Sequence, residues 1–260
     1  MGIDIVQLAQ DLGAEAESLL RLIEPLDDND WLTSTPAPGW CIADQIIHLA
    51  LFDERALWSM TDAVRFSEDL KILRSSGVDI HRQERFRSHA NIVKWWVDAN
   101  TSLCTAVQGV SPETRCQWYG PSMSVASMVT ARVMETWAHA HDVADALSVQ
   151  VLSTPRLRHI AHIGVRARAF SYAANQRELP AGEVCVRLSA PDGTIWRWGD
   201  DGAHSVSGDV LDFCQVVTRR RHINDVHLEI HGDLAHDWMD IAQAFAGPPG
   251  EGRQPGQFGR

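Results

Sequence analysis

The chain has 260 residues, of which 45% are hydrophobic and 22% charged, and its formal net charge is −11 at pH 7. These values are typical of a soluble globular protein with one large domain or two of ordinary size, and they exclude a disordered chain. An acidic surface repels phosphate backbones and anionic lipid headgroups, so the charge argues against nucleic-acid and membrane-surface binding.

Targeting and redox signals point to a reduced, cytoplasmic protein. No apolar run approaches the roughly 18 residues that a membrane span requires, and the first residues lack the basic and apolar regions of a signal peptide. The five cysteines are scattered without a Cys-x-x-Cys pair, which argues against a disulfide framework or a thiolate zinc site.

The first half of the sequence has the apolar periodicity of long helices. It predicts helices at residues 3–25, from near Trp40 through Leu57, at about 88–107, and from near Ser124 to Leu147. Between the last two, residues 109–123 contain Pro112, Gly120 and Pro121 and indicate a loop. Four such helices within about 150 residues predict a four-helix bundle.

The second half has a different pattern. Residues 156–176 indicate a helix, and residues 182–189 and 194–198 indicate two strands joined by the turn dipeptide Asp192-Gly193. A helix at 208–218, a strand at 226–230 and a helix at 234–245 follow. We therefore expect a two-domain α+β protein: a bundle at 1–152, a smaller α/β domain at 153–247 and a flexible tail at 248–260.

A candidate metal site comes from helical spacing. Glu135 and His139 are four residues apart and lie on one face of the predicted fourth helix, where one metal ion can bind both. His48 lies in the apolar run of the second helix and can supply a third ligand. Asp142 is on the same side as His139 and can accept the second N–H of that imidazole. The alternative is a surface Glu–His pair and an unrelated core histidine.

Two segments carry a resemblance to a known family. PAPGWCIADQIIHLALFDERA (36–56) and WYGPSMSVASMVTARVMETWAHAHDVADAL (118–147) resemble the second-helix and fourth-helix motifs of the mycothiol-dependent maleylpyruvate isomerase and DinB-like metalloenzymes, especially the actinobacterial metal-binding branch. The resemblance implies a DinB-like four-helix bundle followed by a sterol-carrier-like α/β domain. It also implies a zinc-type ion at His48, Glu135 and His139, with nickel, iron and manganese as alternatives, and mycothiol as cosubstrate.

Further residues have expected roles at or near the site. Asp44, the aspartate of the first motif, is expected with Asp142 behind the ligands, and Arg220 is the best match to a catalytic arginine of the second domain. Weaker pocket candidates are Trp118, Tyr119, Arg166 and Arg168. The chain departs from the family pattern at Cys41, Asn100 and Ala140-His141. These departures leave the triad intact but leave the substrate open, and His141 lies roughly opposite His139 on the helix.

Three functions follow from this reading. The first is thiol-dependent isomerisation or S-transfer on a small electrophile that can carry a carboxylate. The second is a thiol-independent metal hydrolase or cyclase in small-molecule biosynthesis. The third is a non-catalytic metal- or ligand-binding protein, against which an open coordination position argues. In each case we expect a monomer or homodimer whose partners are small molecules.

Overall fold

The computed structural model describes residues 4–76 and 80–258, and the chain divides into two compact units, Met1–Val151 and Leu152–Arg260. Within the described residues, no helix has both the length and the apolar character that a membrane span needs.

The first unit is built on four long helices, each close to its predicted position. They are α1 (Ile5–Ile23), α2 (Ile42–Thr61), α5 (His89–Val107) and α6 (Val125–Ala146). Two shorter helices, α3 (Ala63–Ser76) and α4 (Ile80–Glu84), follow α2, and the two-residue strands β1 (Arg115–Cys116) and β2 (Met123–Ser124) pair before α6. Helix α2 packs against both α5 and α6, and α1 packs against the same two helices.

Side-chain caps fix where the long helices begin. The Asp4 carboxylate accepts from the amides of Val6 and Gln7, and the Ser124 hydroxyl accepts from the Ser127 amide. These caps satisfy amide groups that have no partner inside the helix. The predicted start of the fourth helix near Ser124 is confirmed by this cap.

Two apolar clusters fill the bundle. One surrounds Ile42, Ile46 and Trp96, and the other surrounds Leu12 and Val129. Both have members from α1, α2, α5 and α6, so the four helices share one interior. The residues that could bind a metal project from α2 and α6 beside the first cluster.

Helices α3 and α4 were not predicted from the sequence. Segment 63–76 is rich in charged residues, and its apolar residues Val64 and Ile72 are exposed, whereas Phe66 is fully buried. Without a continuous apolar stripe, periodicity gives no helix signal. Both helices nevertheless pack against α2.

The second unit is a four-stranded mixed sheet with helices. Its elements are α7 (Leu157–Arg166), α8 (Arg168–Ala174), β3 (Cys185–Ser189), β4 (Ile195–Trp198), β5 (Ser205–Asp209), α9 (Val210–Val217), β6 (Leu228–His231) and α10 (Asp233–Met239). The strand order is β4-β3-β5-β6, with β3 and β5 parallel and the outer pairs antiparallel.

Three details of this unit differ from the sequence prediction. The helix predicted at 156–176 is interrupted at Ala167, strand β5 lies where none was predicted, and α10 ends at Met239 instead of residue 245. Residues 247–258 form no helix or strand. They contact the rest of this unit through Arg219, which donates to the carbonyls of Pro249 and Gly250.

Candidate metal centre

Two helices bring three metal-ligand groups together. His48 Nε2 lies 3.6 Å from Glu135 Oε2, and His139 Nε2 lies 3.3 Å from the same oxygen. One ligand atom from each residue falls within 4.8 Å of the others, and this is the group of possible metal ligands found among the described residues. Two imidazole nitrogens and one carboxylate oxygen are suitable donors for zinc and related divalent ions.

The helix geometry explains this convergence. Glu135 and His139 are one turn apart on α6, which places their side chains on one face. His48 follows the fully buried Ile46 and Ile47 on α2, but its own side chain remains 18% exposed, as Glu135 is 24% exposed. The group therefore lies at the edge of the bundle interior, in contact with solvent.

Burial and mutual contact set the charge of these groups. Burial, assisted by the neighbouring His139, lowers the pKa of His48 to about 3, so this imidazole is neutral at pH 7. Burial alone would raise the pKa of Glu135, but the close contacts with the His139 and His48 imidazoles hold it well below its usual range. A neutral imidazole and an ionised carboxylate are the protonation states that bind a metal.

The far side of the His139 ring is held by a glutamine. His139 Nδ1 contacts Gln45 Oε1, and Gln45 Nε2 donates to Thr35 Oγ1 at 2.7 Å. An amide oxygen only accepts, so Nδ1 carries the proton and Nε2 keeps its lone pair toward Glu135. From helical spacing we expected Asp142 to make this contact. Asp142 is buried on α6, but the structure gives the His139 Nδ1 contact to Gln45.

Asp44 also differs from its expected place behind the ligands. Its carboxylate accepts from the Cys41 amide at 2.9 Å and from Arg85 Nε at 2.6 Å. It therefore caps the start of α2 and binds Arg85. The Cys41 thiol donates to the same carboxylate at 3.2 Å, and burial raises its pKa.

His81 and Trp40 also lie at the site, although we did not predict them there from the sequence. His81 Nε2 lies 3.1 Å from His48 Nδ1. The Trp40 ring lies nearly parallel to His139 at 5.9 Å and is 5.4 Å from His48 and 5.0 Å from His81. His81 follows a segment without apolar periodicity, so no sequence signal marked it, whereas Trp40 belongs to the first family motif.

A buried ionic group lies deeper in the bundle. Asp53 accepts from Arg132 Nε at 2.8 Å and from Asn100 Nδ2 at 3.1 Å, which joins α2, α6 and α5. The side chains of Asp53 and Arg132 are 0% and 3% exposed. Asn100, a departure from the family pattern, thus belongs to this buried group. His141 is also buried, 3.3 Å from Asp145, and is not among the converging ligands.

Of the weaker pocket candidates in this unit, Tyr119 is the nearer to the ligands. Its ring contacts Phe52 at 5.6 Å, Phe52 contacts His48 at 4.6 Å, and its hydroxyl donates to Asp69 at 3.1 Å. Trp118 stacks on Phe66 and lines a separate cavity of about 330 Å³.

The arginine candidates belong to the second unit. Arg220 donates through its side chain to the Thr218 carbonyl at 2.8 Å and through its amide to the Gln215 carbonyl at 2.7 Å. Arg168 donates to the Gly182 carbonyl at 2.7 Å, and Arg166 ends α7. These contacts place Arg220 at the end of α9, and its action on a substrate stays a prediction.

Comparison with known proteins identifies the family. A family model for the mycothiol maleylpyruvate isomerase N-terminal domain matches residues 12–144, and two uncharacterised proteins from two strains of Mycobacterium tuberculosis are 42% identical over 248 residues, which is 94% of this chain and 96% of each relative.

The fold has solved counterparts as well. Crystal structures of the mycothiol-dependent maleylpyruvate isomerase and of a mutant of it match with TM-scores of 0.52 and 0.55 at 16% identity, covering 84% of this chain and 90% of theirs. This likeness confirms the expected α+β class with a DinB-like bundle, and the family model, which spans half of the chain, shows that the protein belongs to the mycothiol maleylpyruvate isomerase N-terminal domain family.

Proposed function

We propose that this protein is a metal-dependent enzyme that uses mycothiol or a similar small thiol. It would either isomerise a small electrophilic substrate or transfer the thiol sulfur onto it. The observation that carries the proposal is the convergence of His48 Nε2, His139 Nε2 and the Glu135 carboxylate within 4.8 Å in a member of this family. Zinc is the ion that this ligand set favours, and nickel, iron and manganese are alternatives.

The number of ligands favours a catalytic site over a structural one. Structural zinc sites are usually closed by four protein ligands, whereas catalytic sites keep a position open for water or substrate. Three ligands converge among the described residues, and the exposed fractions of His48 and Glu135 leave an approach from solvent. This arrangement argues against a purely structural metal.

Four of the five cysteines support an external sulfur source. Burial raises the pKa of Cys41, Cys104, Cys116 and Cys214, to about 12 for Cys104, so these thiols stay protonated at pH 7. A thiol is nucleophilic only as the thiolate. A bound divalent ion lowers the pKa of a coordinated thiol and would supply the thiolate from a cosubstrate.

The reaction class follows from the chemistry of such a thiolate. Its sulfur can add to the carbon of a double bond conjugated to a carbonyl, and the displaced electron pair moves to the carbonyl oxygen. Rotation about the resulting single bond and expulsion of the thiolate restore the double bond in the other geometry, without net oxidation or reduction. S-transfer would instead release a leaving group with its electron pair.

Residues of the chain would hold the reactants during this sequence. Trp40 and Phe52 place aromatic rings within 6 Å of the ligand imidazoles and can exclude water on that side. Arg220, the best match to a catalytic arginine of the family, would bind the negative charge that develops on a carboxylate or enolate oxygen. Arg220→Ala is then expected to lower turnover without changing metal content.

The deciding experiment combines metal content with thiol dependence. The purified protein should hold about one divalent ion per chain and should convert maleylpyruvate, or form thioether products with a panel of electrophiles, only with mycothiol present. Mass spectrometry of the products and elemental analysis measure the two properties. Turnover that needs the metal but no thiol would favour a hydrolase or cyclase instead, and a protein that binds none of the four metals would refute the proposal.

A further inference from the structure

His81 is placed to hold a metal ligand from behind. It lies on α4, and its Nε2 is 3.1 Å from Nδ1 of His48. The two ring planes differ by 9° and the ring centroids are 5.3 Å apart. The centroid separation exceeds the N–N distance by about two ring radii, so the rings meet edge to edge, as in a hydrogen bond, rather than face to face.

The two nitrogens of His48 thus have different partners. Nε2 faces Glu135, and Nδ1 faces His81. A neutral imidazole carries one proton, and the nitrogen that binds a metal must be the unprotonated one. The His48 proton therefore belongs on Nδ1, where it is donated to His81 Nε2, and His81 in turn keeps its own proton on Nδ1.

We infer that His81 is a positioning residue for the metal site: by accepting the Nδ1 proton of His48, it fixes the ring orientation and directs Nε2 toward Glu135 and the metal. This inference rests on the metal site of the proposed function. Metal-binding histidines commonly donate their second N–H to such a partner, and loss of that partner usually costs 10–100-fold in affinity.

The other ligand imidazole provides an internal comparison. His139 is held in the same manner, with its Nδ1 against Gln45 Oε1. Each histidine of the site is thus held by a side chain from a different helix, Gln45 of α2 for His139 and His81 of α4 for His48. The comparison also shows that an amide oxygen can perform this task, which makes glutamine the informative replacement for His81.

A second contact attaches the same segment to α2 one turn away. Arg85 donates to Asp44 through Nε at 2.6 Å and Nη2 at 2.7 Å. His81 and Arg85 are four residues apart, as are Asp44 and His48 on α2, so the two contacts run side by side. Arg85→Ala therefore tests attachment of the segment while leaving the His81 side chain in place.

The experiment measures zinc affinity by competition with a chromophoric chelator, and visible absorption after cobalt substitution, for wild type, His81→Ala, His81→Gln and Arg85→Ala. His81→Ala should bind zinc about 10–100-fold more weakly and alter the cobalt bands, because the His48 ring loses its orientation. His81→Gln should restore both to near wild type. Arg85→Ala should change affinity less than threefold.

The possible outcomes distinguish an error in the role of His81 from an error in the metal site. Wild-type affinity and cobalt bands in His81→Ala would overturn it, as would equal losses in His81→Ala and Arg85→Ala, since segment attachment would then explain both. Failure of His81→Gln to recover any affinity would also contradict it. His48→Ala serves as the reference: if that variant keeps full zinc affinity, the metal site is wrong, whatever the result at His81.

Discussion

The two units of the chain differ in what they bury. In the first unit, the buried polar side chains include eight ionisable ones: Glu15, Asp44, Asp53, Arg55, Arg132, His139, His141 and Asp142. Within residues 152–258, the buried polar side chains are Ser171, Ser205, Thr218 and Gln243, and none of them ionises. Burial of a charge is unfavourable unless a partner compensates it. The bundle therefore depends on such partners for its buried ionisable side chains, whereas the second unit does not.

The bundle holds the two groups with shifted pKa values that converge at the candidate metal site. Groups with perturbed pKa values cluster at functional sites, and the partly buried His48 and Glu135 have this property. The second unit instead places ion pairs such as Arg187–Asp201 at its surface, where both partners are substantially exposed. The side chains of its candidate site residues Arg168 and Arg220 donate hydrogen bonds to backbone carbonyls.

The largest expected effect is the loss of a metal ligand from the bundle. His139→Ala should reduce bound metal from about one ion per chain to nearly none, a greater loss than the 10–100-fold effect of a supporting residue. His236→Ala, an exposed histidine of α10, is the control and should keep full occupancy. Elemental analysis after dialysis measures both. Full metal occupancy in all three variants, His139→Ala, His48→Ala and Glu135→Ala, would mean that these residues are not the metal ligands.

The next effect concerns the buried ion pair of Asp53 and Arg132. Arg132→Met leaves the Asp53 charge buried, with Asn100 as its remaining hydrogen-bond partner among the described residues, and we expect a loss of about 3–5 kcal/mol in the free energy of unfolding. Urea denaturation measures it. In the double variant Asp53→Leu/Arg132→Met no charge is left unpaired, so most of the stability should return. If the double variant is as unstable as the sum of both single variants, the pair is not the cause.

Buried glutamines provide a matched pair across the two units. Gln45→Ala removes the contact behind His139 and should weaken zinc binding by about 10–100-fold. Gln243→Ala removes a glutamine of the second unit that donates to the carbonyls of Phe245 and Gly247, and should leave zinc affinity unchanged. Isothermal titration with zinc compares them. Equal affinities for the two variants would mean that Gln45 supports the fold rather than the site.

The sequence was most informative where contacts follow helical spacing. Glu135 and His139 could be paired because residues four apart share a helix face, and His48 was recognised because it interrupts an apolar run. The resemblance and the fold class are confirmed by the family model and the solved structures. These predictions rest on local pattern or on motifs, both of which are readable from one chain.

Contacts between distant segments could not be read in this way. Spacing placed Asp142 beside His139, but the neighbour that contacts its Nδ1 is Gln45, 94 residues away along the chain. His81 meets His48 because short helix α4 packs on α2, and neither the helix nor its docking has a periodic signal. Strand β5 was missed because a five-residue stretch with two serines, a glycine and an aspartate does not resemble a strand.

The smallest expected effect lies in the second unit, at the ion pair of Arg177 and Asp237. Asp237 accepts from the Tyr172 hydroxyl at 2.6 Å and from Arg177, and these hydrogen bonds lower its pKa. The carboxylate is 36% exposed, so water screens the pair, and Arg177→Ala should cost only about 0.2–1 kcal/mol at pH 7.

The pH dependence of that cost distinguishes the pair from a packing effect. An Asp237 pKa below that of the unfolded chain, about 4, means that the ionised pair stabilises the fold above that pH. The contribution is lost as pH falls through the lowered pKa, because protonated Asp237 no longer attracts Arg177. The difference between wild type and Arg177→Ala in urea denaturation should therefore shrink in acid, as far as the protein stays folded. A cost that equals that of Arg132→Met, or that persists undiminished in acid, would contradict the contrast between a surface pair in one unit and a buried pair in the other.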